Sequence, residues 1–200
     1  MSTPYLESKQ FENIFKNHLK ITNYSQSIES LFSVRNRQRI NFKPDYQRNY
    51  IWDLNKATYF IESIILGTEI PPLILFKNEK GREIIDGRQR FETISLFKEN
   101  KIKLKRKGFS ILKFLENLSF EDIPDDIRDY FLESNLRIIE FTVINESKLN
   151  TLLQDKIKKE IFSRYNSGIT PLKKSDLSSV NLFSNLTPRA ITRSVSLSAK

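Results

Sequence analysis

The segment Ile84-Ile85-Asp86-Gly87-Arg88-Gln89-Arg90 carries the densest chemistry in the chain. A short apolar run leads into an Asp-Gly pair, and a helical pattern begins at once. Backbone N–H groups at a helix start, with the positive end of the helix dipole, favour an anion there. Gly87 lets the backbone come close to a phosphate and take a positive φ if the turn requires it. Arg88 and Arg90 add guanidinium forks that match phosphate oxygens. Asp86 could bind a divalent cation bridging those phosphates, or could hold one of the arginines in place. The plain alternative is a capped helix with solvated arginines, and an Asp-Gly turn before a basic helix does not decide between the two.

Three further segments have chemistry to offer. Pro44–Trp52 interleaves Tyr46, Tyr50 and Trp52 with Gln47 and Arg48, a pattern that could stack a base and bind a phosphate. Tyr50 and Trp52 also suit packing at the start of the next helix, which leaves Tyr46, Gln47 and Arg48 as the polar candidates. Phe162–Gly168 places Arg164 and Asn166 at a helix C-terminus, where Asn, Gly and a cation are also ordinary capping chemistry. Finally Lys101, Lys103, Lys105, Arg106 and Lys107 form a basic run suited to a nucleic-acid backbone or to a solvated sheet edge.

These segments need elements to position them. Ser25 to about Arg35 has helical spacing, with Ile28, Leu31 and Phe32 on one face. Gln38–Phe42 reads as a short strand. Asp53 is an N-cap for a helix reaching Leu66 and stopped by Gly67, with Ala57, Phe60, Ile61, Ile64 and Ile65 as its core face. Strands are predicted at Leu73–Phe76 and Glu83–Ile85 around a turn at Asn78–Gly81. The helix from Arg88 to about Asn100 presents Phe91, Ile94, Ser95 and Phe97 to the core. Ile102 and Leu104 alternate with Lys as in an edge strand. Short helices follow over 110–134, one opened by Pro124, and Asn135–Ile144 is the clearest strand. Helices at about 148–165 and 173–183 close the pattern. Irregular alternation of this kind describes an α+β domain with a small mixed sheet, surrounding helices and a helical C-terminal part.

Composition narrows the chemistry. The chain has 200 residues, no Cys and one His. That excludes disulfides, thiolate metal sites and a Cys nucleophile, and it removes His-rich zinc sites, most Ser-His-Asp triads and a complete HNH nuclease. No apolar run is long enough for a membrane span, and the N-terminus lacks a signal-peptide pattern, so the expected location is the cytoplasm. The net charge of +9 is unevenly distributed: residues 1–107 carry +8, residues 108–155 carry −6 and residues 156–200 carry +7. Two basic blocks around an acidic one suit a polyanion partner, although a lysine-rich solvated surface would produce the same count.

Taken together, Tyr46–Trp52, Leu66-Gly67, Ile70-Pro71-Pro72, Asp86–Arg90 and Phe162–Gly168 stand in the order of one family's landmarks. The chain resembles, over about residues 25–185, the N-terminal domain of GmrSD-type modification-dependent restriction enzymes, a group of ParB/sulfiredoxin-like domains with an Asp-Gly-Gln-Gln-Arg core. The resemblance implies binding and hydrolysis of a nucleoside triphosphate (ATP, GTP or CTP) with Mg²⁺, in bacterial defence against phage DNA, often modified DNA. It implies control of a nuclease, in a partner or in a further C-terminal domain; the sequence in hand carries no such domain. On this basis Asp86, Gln89 and Arg90 are catalytic candidates, and Asp86 the metal or water-positioning group. Gly87, Arg88, Tyr46, Gln47, Arg48, Arg164 and Asn166 are nucleotide-binding candidates, and the Lys101–Lys107 run a DNA contact.

Two positions depart from the family core. Arg88 replaces its first Gln, and Phe91-Glu92 replaces the Leu-Thr that usually follows the final Arg. A Gln near a γ-phosphate can orient water, whereas Arg can only stabilise charge, so binding carries over more safely than hydrolysis. The expected organisation is an N-terminal extension over 1–24, the nucleotide-binding domain over 25–145, a completing helical segment over 146–185 and a flexible tail over 186–200. A DNA-binding adaptor without enzymatic activity is the competing function, and an interaction subunit docking through the acidic block is a third. Oligomeric state is left open.

Overall fold

The computed structural model describes residues 4–41, 50–144 and 149–166, with side chains from residue 9 onward and excluding that of Asn166. Contacts divide the chain into two units, residues 1–163 and 164–200. The second unit's described residues are the last three of one helix. The predicted helix over 173–183 and the tail lie outside the described residues.

The first unit is an α+β assembly around a five-stranded mixed sheet of order β1-β5-β3-β4-β2. Its strands are β1 (Leu19–Ser27), β2 (Ile40–Asn41), β3 (Leu73–Asn78), β4 (Gly81–Asp86) and β5 (Asn135–Val143). β1 runs antiparallel to β5, β5 parallel to β3, β3 antiparallel to β4, and β4 parallel to β2. Its helices are α1 (Pro4–Asn13), α2 (Ile28–Leu31), α3 (Val34–Arg37), α4 (Leu54–Ile65), α5 (Arg88–Lys98), α6 (Asp125–Glu133) and α7 (Thr151–Asn166), with α7 running on into the second unit. One turn of π-helix, Ile14–His18, leads from α1 into β1.

Strand pleating separates two apolar layers. Leu73, Leu75, Ile84, Leu136 and Ile138 join one core cluster with Ala57, Phe60, Ile61 and Ile64 of α4, Phe91, Ile94 and Phe97 of α5, and Phe131 of α6. The alternate residues Ile74, Phe76, Ile85 and Phe141 are also buried, as are Leu153, Ile157 and Ile161 on α7. Buried Lys158 of α7 reaches Glu83 of β4 at 3.1 Å and Asp155 at 2.8 Å. Burial alone lowers the Lys158 pKa, but the two carboxylates outweigh it and raise the pKa above the ordinary lysine value.

Two predicted elements differ. The single helix predicted from Ser25 is the end of β1 followed by two short helices, because serines interrupt it. Ser27 Oγ accepts from Ser30 N–H at 3.3 Å, and Ser33 Oγ accepts from Asn36 N–H at 3.4 Å. A serine hydroxyl satisfies helix-start donors and so restarts the helix at each one. Ile28, Leu31 and Phe32 are nevertheless all buried. The strand predicted at 102–104 is also absent. Ile102 and Leu104 are buried and the intervening lysines exposed, but Leu104 pairs with the turn at Asn117-Leu118 rather than with the sheet. β1 begins at Leu19, so the sheet recruits residues from within the first 24.

Candidate functional site

β4 ends at Asp86, opposite Ile74 of β3, and the register slips between Ile74 and Leu75. Such irregularities re-aim side chains at the end of a strand. Gly87 then turns the chain into α5 with φ +91, and the helix has no side-chain cap. A Cβ at Gly87 would lie 2.5 Å from Leu73 Cδ2 and 3.0 Å from Arg90 Nη2. Both the sign of φ and the space therefore require glycine. Phe91 N–H donates to Gly87 C=O at 2.9 Å.

Arg90 folds back along this turn. Its Nη2 donates to Asp86 Oδ2 at 2.8 Å and to the Pro72 carbonyl at 3.1 Å. Its Nε is buried with no hydrogen-bond partner among the described residues. Asp86 therefore holds an arginine, one of the two roles open to it. Among the described residues there is no group of three His, Asp or Glu side chains that could hold a metal ion.

The neighbouring residues are more committed than spacing alone suggests. Arg88 is buried, and its Nε lies 3.4 Å from Glu92 Oε2. Gln89 Oε1 accepts from the backbone N–H of Ile51 at 2.8 Å and of Trp52 at 3.3 Å, tying that segment to α5. Tyr50 Oη lies 3.0 Å from Thr93 Oγ1. Burial raises the Tyr50 phenol above its ordinary range. Trp52 packs edge-on against Phe60 at 5.4 Å, with Lys56 Nζ 4.8 Å from its ring centre. Tyr50, Thr93, Pro72 and Glu92 are the participants that sequence reasoning passed over as site residues. For Glu92, and for the Asp86–Arg90 pair, the signal was available in the i,i+4 spacing.

Tyr46, Gln47 and Arg48 lie outside the described residues. Arg164, exposed at the end of α7, and Asn166 belong to the second unit. The basic run is exposed at Lys101, Lys103, Lys105, Arg106 and Lys107. Lys101 pairs with Glu99 and Arg106 with Glu116.

The loop carrying that run is anchored from α4. Glu62 is buried, and its carboxylate accepts from the N–H groups of Ser110, Ile111 and Leu112, each at 2.7 Å. Thr58 Oγ1 accepts from Lys105 N–H at 2.8 Å. Gly108 sits so close to α4 that a Cβ there would meet Asn55 O at 2.4 Å.

A family model described as the GmrSD restriction endonuclease N-terminal domain matches residues 28–183. The chain belongs to that family. No curated protein and no solved structure gives a match to it. Two landmarks of the GmrSD N-terminal domain, Ile70-Pro71-Pro72 and Asp86–Arg90, are thus joined physically by the Arg90–Pro72 hydrogen bond. The Leu66-Gly67 landmark closes α4, with Gly67 at φ +65. Among the described residues of this GmrSD N-terminal domain, no helix is long and apolar enough to cross a membrane.

Proposed function

We propose that this GmrSD N-terminal domain binds a nucleoside triphosphate at Asp86–Arg90 and acts as a regulatory part of a DNA-restriction system, with cleavage left to a nuclease domain or partner. The observation that carries this reading is Arg90 Nε, a buried donor with no partner among the described residues, beside a helix start opened by glycine. A guanidinium with an unused donor is suited to an oxyanion, because an unpaired buried donor costs free energy that a phosphate oxygen would recover.

Gly87 lets the phosphates approach the backbone. Gln89 holds the Ile51-Trp52 segment in place, which makes it a positioning residue. Asp86 is the carboxylate available to orient an attacking water in hydrolysis. Mg²⁺ would arrive with the triphosphate.

The test is calorimetric titration of the chain with non-hydrolysable ATP, GTP and CTP analogues plus Mg²⁺, repeated on Arg90→Ala with the fold checked by circular dichroism. Saturable binding that the folded variant loses supports the reading, and phosphate release then measures hydrolysis. Alanine variants at Tyr46, Gln47, Arg48, Arg164 and Asn166 report whether those residues contribute affinity. No binding to any of the three nucleotides overturns it.

A DNA-contacting surface is the second reading, favoured by five exposed basic side chains on a loop that Glu62 and Thr58 hold in place. Its signature is DNA affinity that falls steeply with salt and falls further when Lys103, Lys105 and Lys107 are replaced by Ala.

A further inference from the structure

The sheet ends in β2 at one edge, described over Ile40–Asn41, and in β1 at the other. β1 is nine residues long and keeps unbroken register with β5 from Leu19↔Val143 to Ser27↔Asn135. It contains no proline, no bulge and a single charge, Lys20. Lys20, Ile21, Thr22, Asn23 and Ser25 are exposed. Among the described residues its outer backbone edge pairs with no strand. A long, regular, nearly uncharged edge is a template for another strand.

We propose that β1 pairs antiparallel with β1 of a second copy of this chain, about a twofold axis at Asn23, joining two five-stranded sheets into one. The occupant is indicated by the strand's own sequence. With the axis at Asn23, Leu19 faces Ser27 of the other copy, and all nine residues are paired; any other centre leaves some unpaired. In that register Lys20 faces Gln26, so no like charges meet. Thr22 faces Tyr24 twice over, a β-branched–aromatic pairing that stabilises sheets. Ile21 faces Ser25, and Asn23 faces itself. The contact is self-complementary, as a closed twofold interface requires.

The absence of cysteine makes the register directly testable. Facing residues across antiparallel strands lie within disulfide range. Under mild oxidation Asn23→Cys links to itself in the full chain. Lys20→Cys and Gln26→Cys each stay unlinked, but a mixture of the two cross-links.

Sedimentation equilibrium over a wide concentration range supplies a second measurement. Ile21→Lys with Ser25→Lys sets lysine against lysine at two places and weakens self-association by about tenfold or more. Ile21→Glu with Ser25→Lys sets opposite charges there and keeps the dimer. A wild type that stays monomeric throughout, a silent Asn23→Cys, or a dimer indifferent to the double-lysine change overturns the proposal. The first of these would leave the edge to an extended segment of another protein.

Discussion

Arg88 and Glu92 form one buried ion pair across a turn of α5, with Nε 3.4 Å from Oε2 and side-chain exposures of 8% and 13%. Both residues occupy positions where the chain departs from the core pattern of the family it resembles. The two departures therefore meet in one contact, in which Glu92 gives the buried Arg88 a carboxylate. Arg88 is consequently not a free addition to the positive field of the site.

Removing one member of this pair should cost more than removing both. Glu92→Gln should destabilise the fold by about 1–3 kcal/mol, since it takes a carboxylate away from a buried guanidinium. Arg88→Gln with Glu92→Thr should recover a large part of that loss. Urea denaturation of the two singles and the double gives the coupling directly.

Gly87→Ala should damage both stability and the site. The substituted residue would be held at φ +91 with its Cβ 2.5 Å from Leu73 Cδ2. Strain of this kind costs on the order of 1–3 kcal/mol. The Cβ would also press on Arg90 Nη2 and disturb the Asp86 and Pro72 bonds. Thermal unfolding measures the first effect and nucleotide titration the second.

Gln89→Leu should free the Ile51-Trp52 backbone while leaving α5 helical. Two N–H groups lose their acceptor, a loss of about 1–2 kcal/mol. Trp52 is the chain's one tryptophan, so its emission reports the change without labelling. Amide exchange at Ile51 and Trp52 should quicken, while exchange at Phe91 and Ile94 stays slow.

Glu62 should make the 110–112 loop acid-sensitive. Burial pushes its carboxyl pKa up, but the N–H groups of Leu112, Ser110 and Ile111, with Lys113, together bring it below the ordinary glutamate value of 4.5. A depressed folded-state pKa contributes stability that is fully present above 4.5 and is lost as pH falls through the lower folded value. Glu62→Gln should remove that dependence and cost about 2 kcal/mol at neutral pH. Equal acid sensitivity in the variant and the wild type would refute this role.

Much of the local architecture was legible because its cause is local. Asp53 caps α4 through the N–H groups of Asn55 and Lys56 at 2.8 and 2.9 Å. The buried faces of α4 and α5 follow helical spacing, so Phe60, Ile61, Phe91, Ile94 and Phe97 were identifiable as core. The Asp-Gly turn between a strand and a helix was readable for the same reason, since the short polar pair and the apolar runs on either side lie within a dozen residues.

What the tertiary structure alone decided involves partners far apart in the chain. β1 is an edge strand with little apolar alternation, so nothing in Leu19–Ser27 announces it; its partner β5 lies more than a hundred residues away. Glu62 reads as a solvated helix position until the 110–112 backbone folds onto it. Gln89 reads as a polar site residue until the Ile51 and Trp52 amides claim its oxygen. Residue type and spacing determined which groups this protein has for binding a phosphate and where its helices start and stop, because those effects act within a turn or two of chain. Which of those groups remain available was decided only by folding, because hydrogen-bond donors and buried charges are satisfied in space and not in sequence.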